Sequence, residues 1–145
     1  MLENAAINIK FKLAALWLTI FLLFVYGDLL PMWIPTHLDE LLHGEVGEGP
    51  AMQLLGIAIY VTMYALMPLM NLVLSAKVSR ILNIVASVLL IAFWIYILAV
   101  FSFGPMWNFY IYFAVVEMAL ALVIIRVSWT WPRRDSAPAP GVNQG

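Results

Sequence analysis

The sequence predicts an all-α polytopic membrane protein. Four transmembrane helices form an antiparallel bundle of two helical hairpins, with a short outer interfacial helix between helices 1 and 2. Three observations predict this. Hydrophobic residues make up 65% of the 145 residues and charged residues only 10%, with a mean hydropathy of +0.98. A water-soluble domain carries about 45–50% apolar and about 25% charged residues. Four separate apolar runs, each about 18–25 residues, are long enough as helices to cross a ~30 Å hydrocarbon layer. Backbone groups in lipid must pair within the protein, and no barrel-type alternation is present, so the runs are helices.

Helix 1 covers about residues 13–34 and follows Lys10 and Lys12. It is expected to be retained rather than cleaved as a leader, because Gly27 to Trp33 (GDLLPMW) offers no small-x-small cleavage site. Leu38, Leu41 and Leu42 share one face of the following segment, which predicts a short interfacial helix capped by Gly44. Helix 2 covers about residues 51–75 and contains Pro68, which removes its own N–H bond to the Tyr64 carbonyl and should kink the helix. Asn71, one turn later, is placed to pair across that break. Helix 3 covers about residues 81–102 and ends at the Phe103-Gly104-Pro105 turn; helix 4 covers about residues 108–131, before Pro132. Residues 1–132 thus form one four-helix domain. Residues 133–145 end in DSAPAPGVNQG, too polar and too rich in Pro, Ala and Gly to bury a core, and are expected to be a disordered cytoplasmic tail.

All seven Lys and Arg fall on one side of this arrangement: Lys10, Lys12, Lys77, Arg80, Arg126, Arg133 and Arg134. The positive-inside rule makes that side cytoplasmic, with both termini inside. The opposite loop, residues 35–50, carries Asp39, Glu40, Glu45 and Glu48 and no basic residue. Trp33 and Trp107 mark the outer interface, Trp129 and Trp131 the inner one. The expected partner is the lipid bilayer, with a homo- or hetero-oligomer left open. A net charge of −1 offers no basic field for nucleic acid. Cysteine is absent, which excludes disulfides, thiolate metal sites and thiol redox relays.

Two acids interrupt the apolar runs. Asp28 lies five residues before Trp33, so about 7–8 Å inside the outer interface; Glu117 lies ten residues after Trp107, about 15 Å deep. A carboxylate near the midplane costs about 2.5–3.5 kcal/mol on insertion scales. Such residues face the bundle interior or water and mark a substrate or proton path, or they serve as hydrogen-bonded packing glue. Tyr110, Ala114, Glu117, Ala121 and Ser128 share one face of helix 4; Tyr60, Tyr64, Asn71 and Ser75 form a stripe on helix 2, and Arg80, Asn83, Ser87 and Trp94 another on helix 3. The candidate intramembrane polar site is therefore Glu117, Asp28, Tyr60, Tyr64, Asn71 and Tyr110. Matching depths pair Asp28 with Tyr110, and Glu117 with Tyr60 and Tyr64.

His37, Glu40 and His43 lie at spacings of three on the outer segment. They lack the tight i, i+4 histidine pair with a third ligand, so they are weak metal candidates and no metal is expected. No Gly-rich phosphate loop, Ser/His/Asp set or HExxH occurs, so neither an enzyme nor a cofactor is expected. Both histidines lie outside the apolar runs, which leaves no intramembrane pair of haem ligands.

Several segments carry a resemblance. They are Ile9 to Trp17 (IKFKLAALW), Tyr26-Gly27-Asp28, Lys77 to Ile84 (KVSRILNI), Val115-Val116-Glu117 and Trp129-Thr130-Trp131-Pro132. Together, over about residues 5–132, they resemble a family of small bacterial four-helix membrane proteins known only as a domain of unknown function. The resemblance implies a bacterial inner-membrane location and maps the family's helix 1 aspartate and helix 4 glutamate onto Asp28 and Glu117. The expected role is passage or sensing of a small solute or proton centred on Glu117. The alternative is a structural or accessory subunit of a larger membrane complex.

Overall fold

The structure is a computed structural model that describes residues 7–43 and 51–131, without the side chains of residues 51–54. Its elements are α1 (Ile9–Leu29), a 3-10 turn (Leu30–Trp33), α2 (Pro35–Leu42), α3 (Ala51–Val73), α4 (Ala76–Val100), a second 3-10 turn (Pro105–Trp107) and α5 (Asn108–Trp129). The described residues are all helix and link, without a strand. Four helices are long and apolar enough to cross a membrane: residues 9–33, 55–73, 76–100 and 105–129.

Local chemistry sets the helix limits. Asn8 Oδ1 accepts from the backbone N–H of Lys10 at 2.9 Å, so α1 starts at Ile9 rather than near residue 13. Pro31 opens the 3-10 turn and Pro35 opens α2, each at a position where a missing N–H costs nothing. The span expected to reach residue 34 is therefore α1 plus a tighter turn. A larger difference concerns helix 3. It begins at Ala76, not near residue 81, after a link of only Leu74 and Ser75, so Lys77 and Arg80 sit on helical turns. An apolar run marks the stretch suited to lipid, whereas backbone pairing continues through good helix formers such as Lys and Arg. The Gly44 cap, Glu45, Glu48, Arg133, Arg134 and the 133–145 tail lie outside the described residues.

α1 packs against α3 and α5, and α4 packs against α5 and, over a smaller area, α3. Their shared core joins Leu13, Trp17 and Ile20 of α1 to Tyr64 and Met67 of α3, Leu90 and Trp94 of α4, and Ala114, Ala121 and Ile124 of α5. Ala86, Ala114 and Ala121 let backbones approach closely. Outside this core the surface is apolar: Leu18, Leu22, Ile81, Val85, Val88 and Leu122 are all exposed. Asn71, Asn83, Ser87, Glu117 and Ser128 are instead no more than 1% exposed. A soluble protein has the opposite distribution, and this one suits a hydrocarbon surround.

Two cations tie the helices together at the α3–α4 link end. Lys10 Nζ donates to the Leu74 carbonyl at 2.6 Å and the Leu72 carbonyl at 3.4 Å, where α3 ends. Arg80 donates to the Trp129 carbonyl at 3.3 Å, and its guanidinium lies 5.8 Å from the centre of the Trp129 ring. Each places positive charge on the carbonyl end of a neighbouring helix, where the helix dipole favours it.

Candidate functional site

The interior polar residues form two separate groups, apart from Ser87 and Ser128, whose buried hydroxyls have no partner among the described residues. The first joins three helices near the α3–α4 link. Asn71 and Asn83 exchange amide hydrogen bonds (2.5 and 3.2 Å), Ser79 Oγ donates to Asn71 Oδ1 at 2.7 Å, and Trp17 Nε1 donates to Asn83 Oδ1 at 2.5 Å. Asn71 also donates to the Met67 carbonyl at 2.9 Å. Asn71, expected to pair across a break at Pro68, thus bonds one turn back on its own helix, and α3 is one continuous helix through Pro68. The polar atoms of this group are densely paired, and Asn83 sits eleven residues before Trp94, about 16 Å away along α4. Asn71 belongs to this group and not to the surroundings of Glu117.

The second group surrounds Glu117. Its face of α5 is as expected: Ala114, Glu117, Ala121 and Ser128 are buried and Tyr110 is half-buried. The partner differs. Trp94 Nε1 donates to Glu117 Oε2 at 2.7 Å, the one hydrogen bond to this carboxyl among the described residues. Neither tyrosine bonds to it. Tyr60 Oη is buried without a partner among the described residues, and its ring packs 4.8 Å from both Tyr64 and Phe93. Tyr64 packs against Trp17 and Phe24. Matching depth was not enough, because rotation about the helix axis turns both rings toward α1 and α4. Trp94 was legible on the stripe with Asn83 and Ser87, and a buried indole N–H requires an acceptor. Aromatic rings hold it in place: Phe24 at 6.3 Å, Phe93 at 5.6 Å and Tyr110 at 5.1 Å.

Asp28 is exposed and has no hydrogen bond or ion pair among the described residues. It does not bond to Tyr110, but the two residues wall the same three cavities. One, of about 540 Å³, lies between Gly27, Asp28, His37, Phe103, Trp107 and Tyr110. Another, of about 530 Å³, lies between Phe24, Asp28, Gly56, Tyr60, Phe93 and Tyr110. The third, of about 10 Å³, is bounded by Asp28, Tyr110, Trp94 and Glu117. That volume is close to the ~10–15 Å³ needed for one water. A single water there has both carboxyls, the indole and the phenol among its surroundings.

His37, Glu40 and His43 do not converge. His37 Nδ1 lies 3.8 Å from Glu40, while His43 Nδ1 turns to Asp39, 3.3 Å from its carboxylate and 2.9 Å from its carbonyl. Among the described residues no three His, Asp or Glu side chains form a metal-binding group. His37 instead packs edge-on against Trp107, with ring centres 5.6 Å apart, and walls the first cavity. Its spacing from Glu40 drew attention to a metal; its contact with a tryptophan seventy residues away left no local signal.

Asp28 and Glu117 thus bound one small cavity together, and Asp28 also walls the two larger ones. Residues 4–138 match a family described as a family of unknown function, DUF6326. The chain belongs to that family. Comparison with curated proteins and with solved structures gives no match. Membership covers all four long helices and both acids, so the Asp28–Glu117 arrangement lies wholly within the family's extent.

Proposed function

We propose that this DUF6326 protein is a multi-pass, non-enzymatic protein of the bacterial inner membrane that passes or senses a small solute or proton at Glu117. In this reading the four long helices are an antiparallel bundle, α2 lies on the outer face and both termini are cytoplasmic. The asymmetry of Lys and Arg in the sequence supports that orientation.

One observation carries the functional reading. Asp28 and Tyr110 wall three cavities in common, and the smallest of these ends at the Glu117 carboxyl. A proton arriving from the α2 side has an acid at the wall of the larger cavities, room for about one water, and then a buried carboxyl held by Trp94. Beyond Glu117, Leu13, Trp17, Ile20, Leu90 and Ile124 close the interior in apolar packing. Access from the α2 side suits a loading site that is read out or re-exposed by helix movement. Proton flux in proteoliposomes, with and without candidate solutes, tests this. Glu117→Gln is expected to abolish flux or signal while keeping the fold; unchanged flux overturns the role of Glu117.

A second reading, a structural or accessory subunit of a larger membrane complex, is favoured by the direct Trp94–Glu117 bond, which needs no water. Under it, Glu117→Gln leaves every activity of the assembled complex intact.

A further inference from the structure

The two larger cavities share more than their acid. Each has several aromatic rings in its wall: Phe101, Phe103, Trp107 and Tyr110 in one, and Phe24, Tyr60, Phe93 and Tyr110 in the other. Among the described residues neither has a Lys or Arg in its wall; the acid common to both is Asp28, and the first also holds the His37 imidazole. Asp28 has no cationic partner among the described residues to neutralise it. At about 540 and 530 Å³, both cavities fall in the ~300–1,000 Å³ range that accepts a drug-sized molecule.

Ring faces attract cations through their quadrupole, most strongly where water is excluded, and aromatic cages with a nearby carboxylate recognise quaternary ammonium groups. A strongly hydrated small ion would gain little from such walls, and an anion would meet Asp28. A weakly hydrated organic cation gains from both the rings and the acid. From this we propose that the Asp28 cavities form a binding site for a lipophilic organic monocation. The proposal deepens the functional reading above, on which it rests, by naming the chemical class of the small solute.

The probe is tetraphenylphosphonium, with the near-isosteric anion tetraphenylborate as its control, added to the full chain in nanodiscs. Tryptophan fluorescence reports binding, because Trp107 walls the first of these cavities and Trp94 walls the small cavity that Asp28 and Tyr110 also bound. Saturable quenching by the cation is expected, weakened about tenfold or more by Asp28→Asn. Tyr110→Leu, which removes a ring common to both cavities, should weaken it as well, while circular dichroism shows both variants folded. Tetraphenylborate should give no saturable signal. Equal binding of the two ions, or an affinity unchanged by Asp28→Asn, overturns the proposal and leaves an apolar pocket only. The functional reading fails separately: flux unchanged by Glu117→Gln refutes it even where the cation binds, and Glu117-dependent proton flux without cation binding refutes only the ligand class.

Discussion

Removing the Trp94 donor tests whether the buried acid is held as the structure places it. Trp94→Phe keeps an aromatic ring among Phe24, Phe93 and Tyr110 but removes the N–H that reaches Glu117 Oε2 at 2.7 Å. Glu117→Leu removes the acceptor and leaves that indole N–H without a partner. Both side chains are at most 2% exposed, so bulk water does not replace the lost bond. Interhelical hydrogen bonds in membrane proteins average about 0.6 kcal/mol and reach about 1.7 kcal/mol. A short, fully buried bond to a carboxyl belongs in the upper half, so a coupling of about 1 kcal/mol is expected, or about fivefold in the unfolding equilibrium. The loss of ring packing in Trp94→Phe occurs in both backgrounds and cancels in a double-mutant cycle. Unfolding in mixed micelles with rising dodecyl sulfate supplies the four free energies. The double variant should be more stable than the sum of the single losses implies. Glu117→Gln, whose amide oxygen still accepts from the indole, should lie within about 0.5 kcal/mol of the parent. A coupling indistinguishable from zero refutes the pairing.

Two further outcomes follow from the same geometry. Asn83→Leu breaks the reciprocal amide pair with Asn71 and the bond from Trp17, three side-chain contacts between helices, against one for Ser79→Ala. It should therefore cost about 2 kcal/mol where Ser79→Ala costs about 0.6 kcal/mol, measured by the same micelle titration, and it should leave Glu117-dependent flux unchanged in the fraction that folds. A Cβ at Gly27 would meet Phe113 at an ordinary 3.7 Å, so Gly27→Ala should be tolerated; Gly27→Leu should project into the cavities beside Asp28 and abolish flux without lowering thermal stability in detergent.

The apolar runs, Pro31, Pro35 and Gly104-Pro105 determined by themselves that four long helices form and about where they end. In lipid each helix satisfies its own backbone, so a helix needs no distant partner and its signal is local. The polar stripes of α4 and α5 were equally legible, because helical periodicity places Ser87 with Trp94, and Ala114 with Glu117, on one face. Which stripe meets which was not. Depth along the helix follows from counting residues, but the rotation of each helix and the identity of its neighbour depend on how Ala86, Ala114 and Ala121 let the backbones approach. That rotation sent Glu117 to Trp94 instead of Tyr60, drew Asn71 into a group with Ser79, Asn83 and Trp17, and left Asp28 facing open cavities. Sequence spacing carries one helix's periodicity, whereas a pairing between side chains on two helices depends on the relative rotation of both, and only the packed tertiary structure sets it.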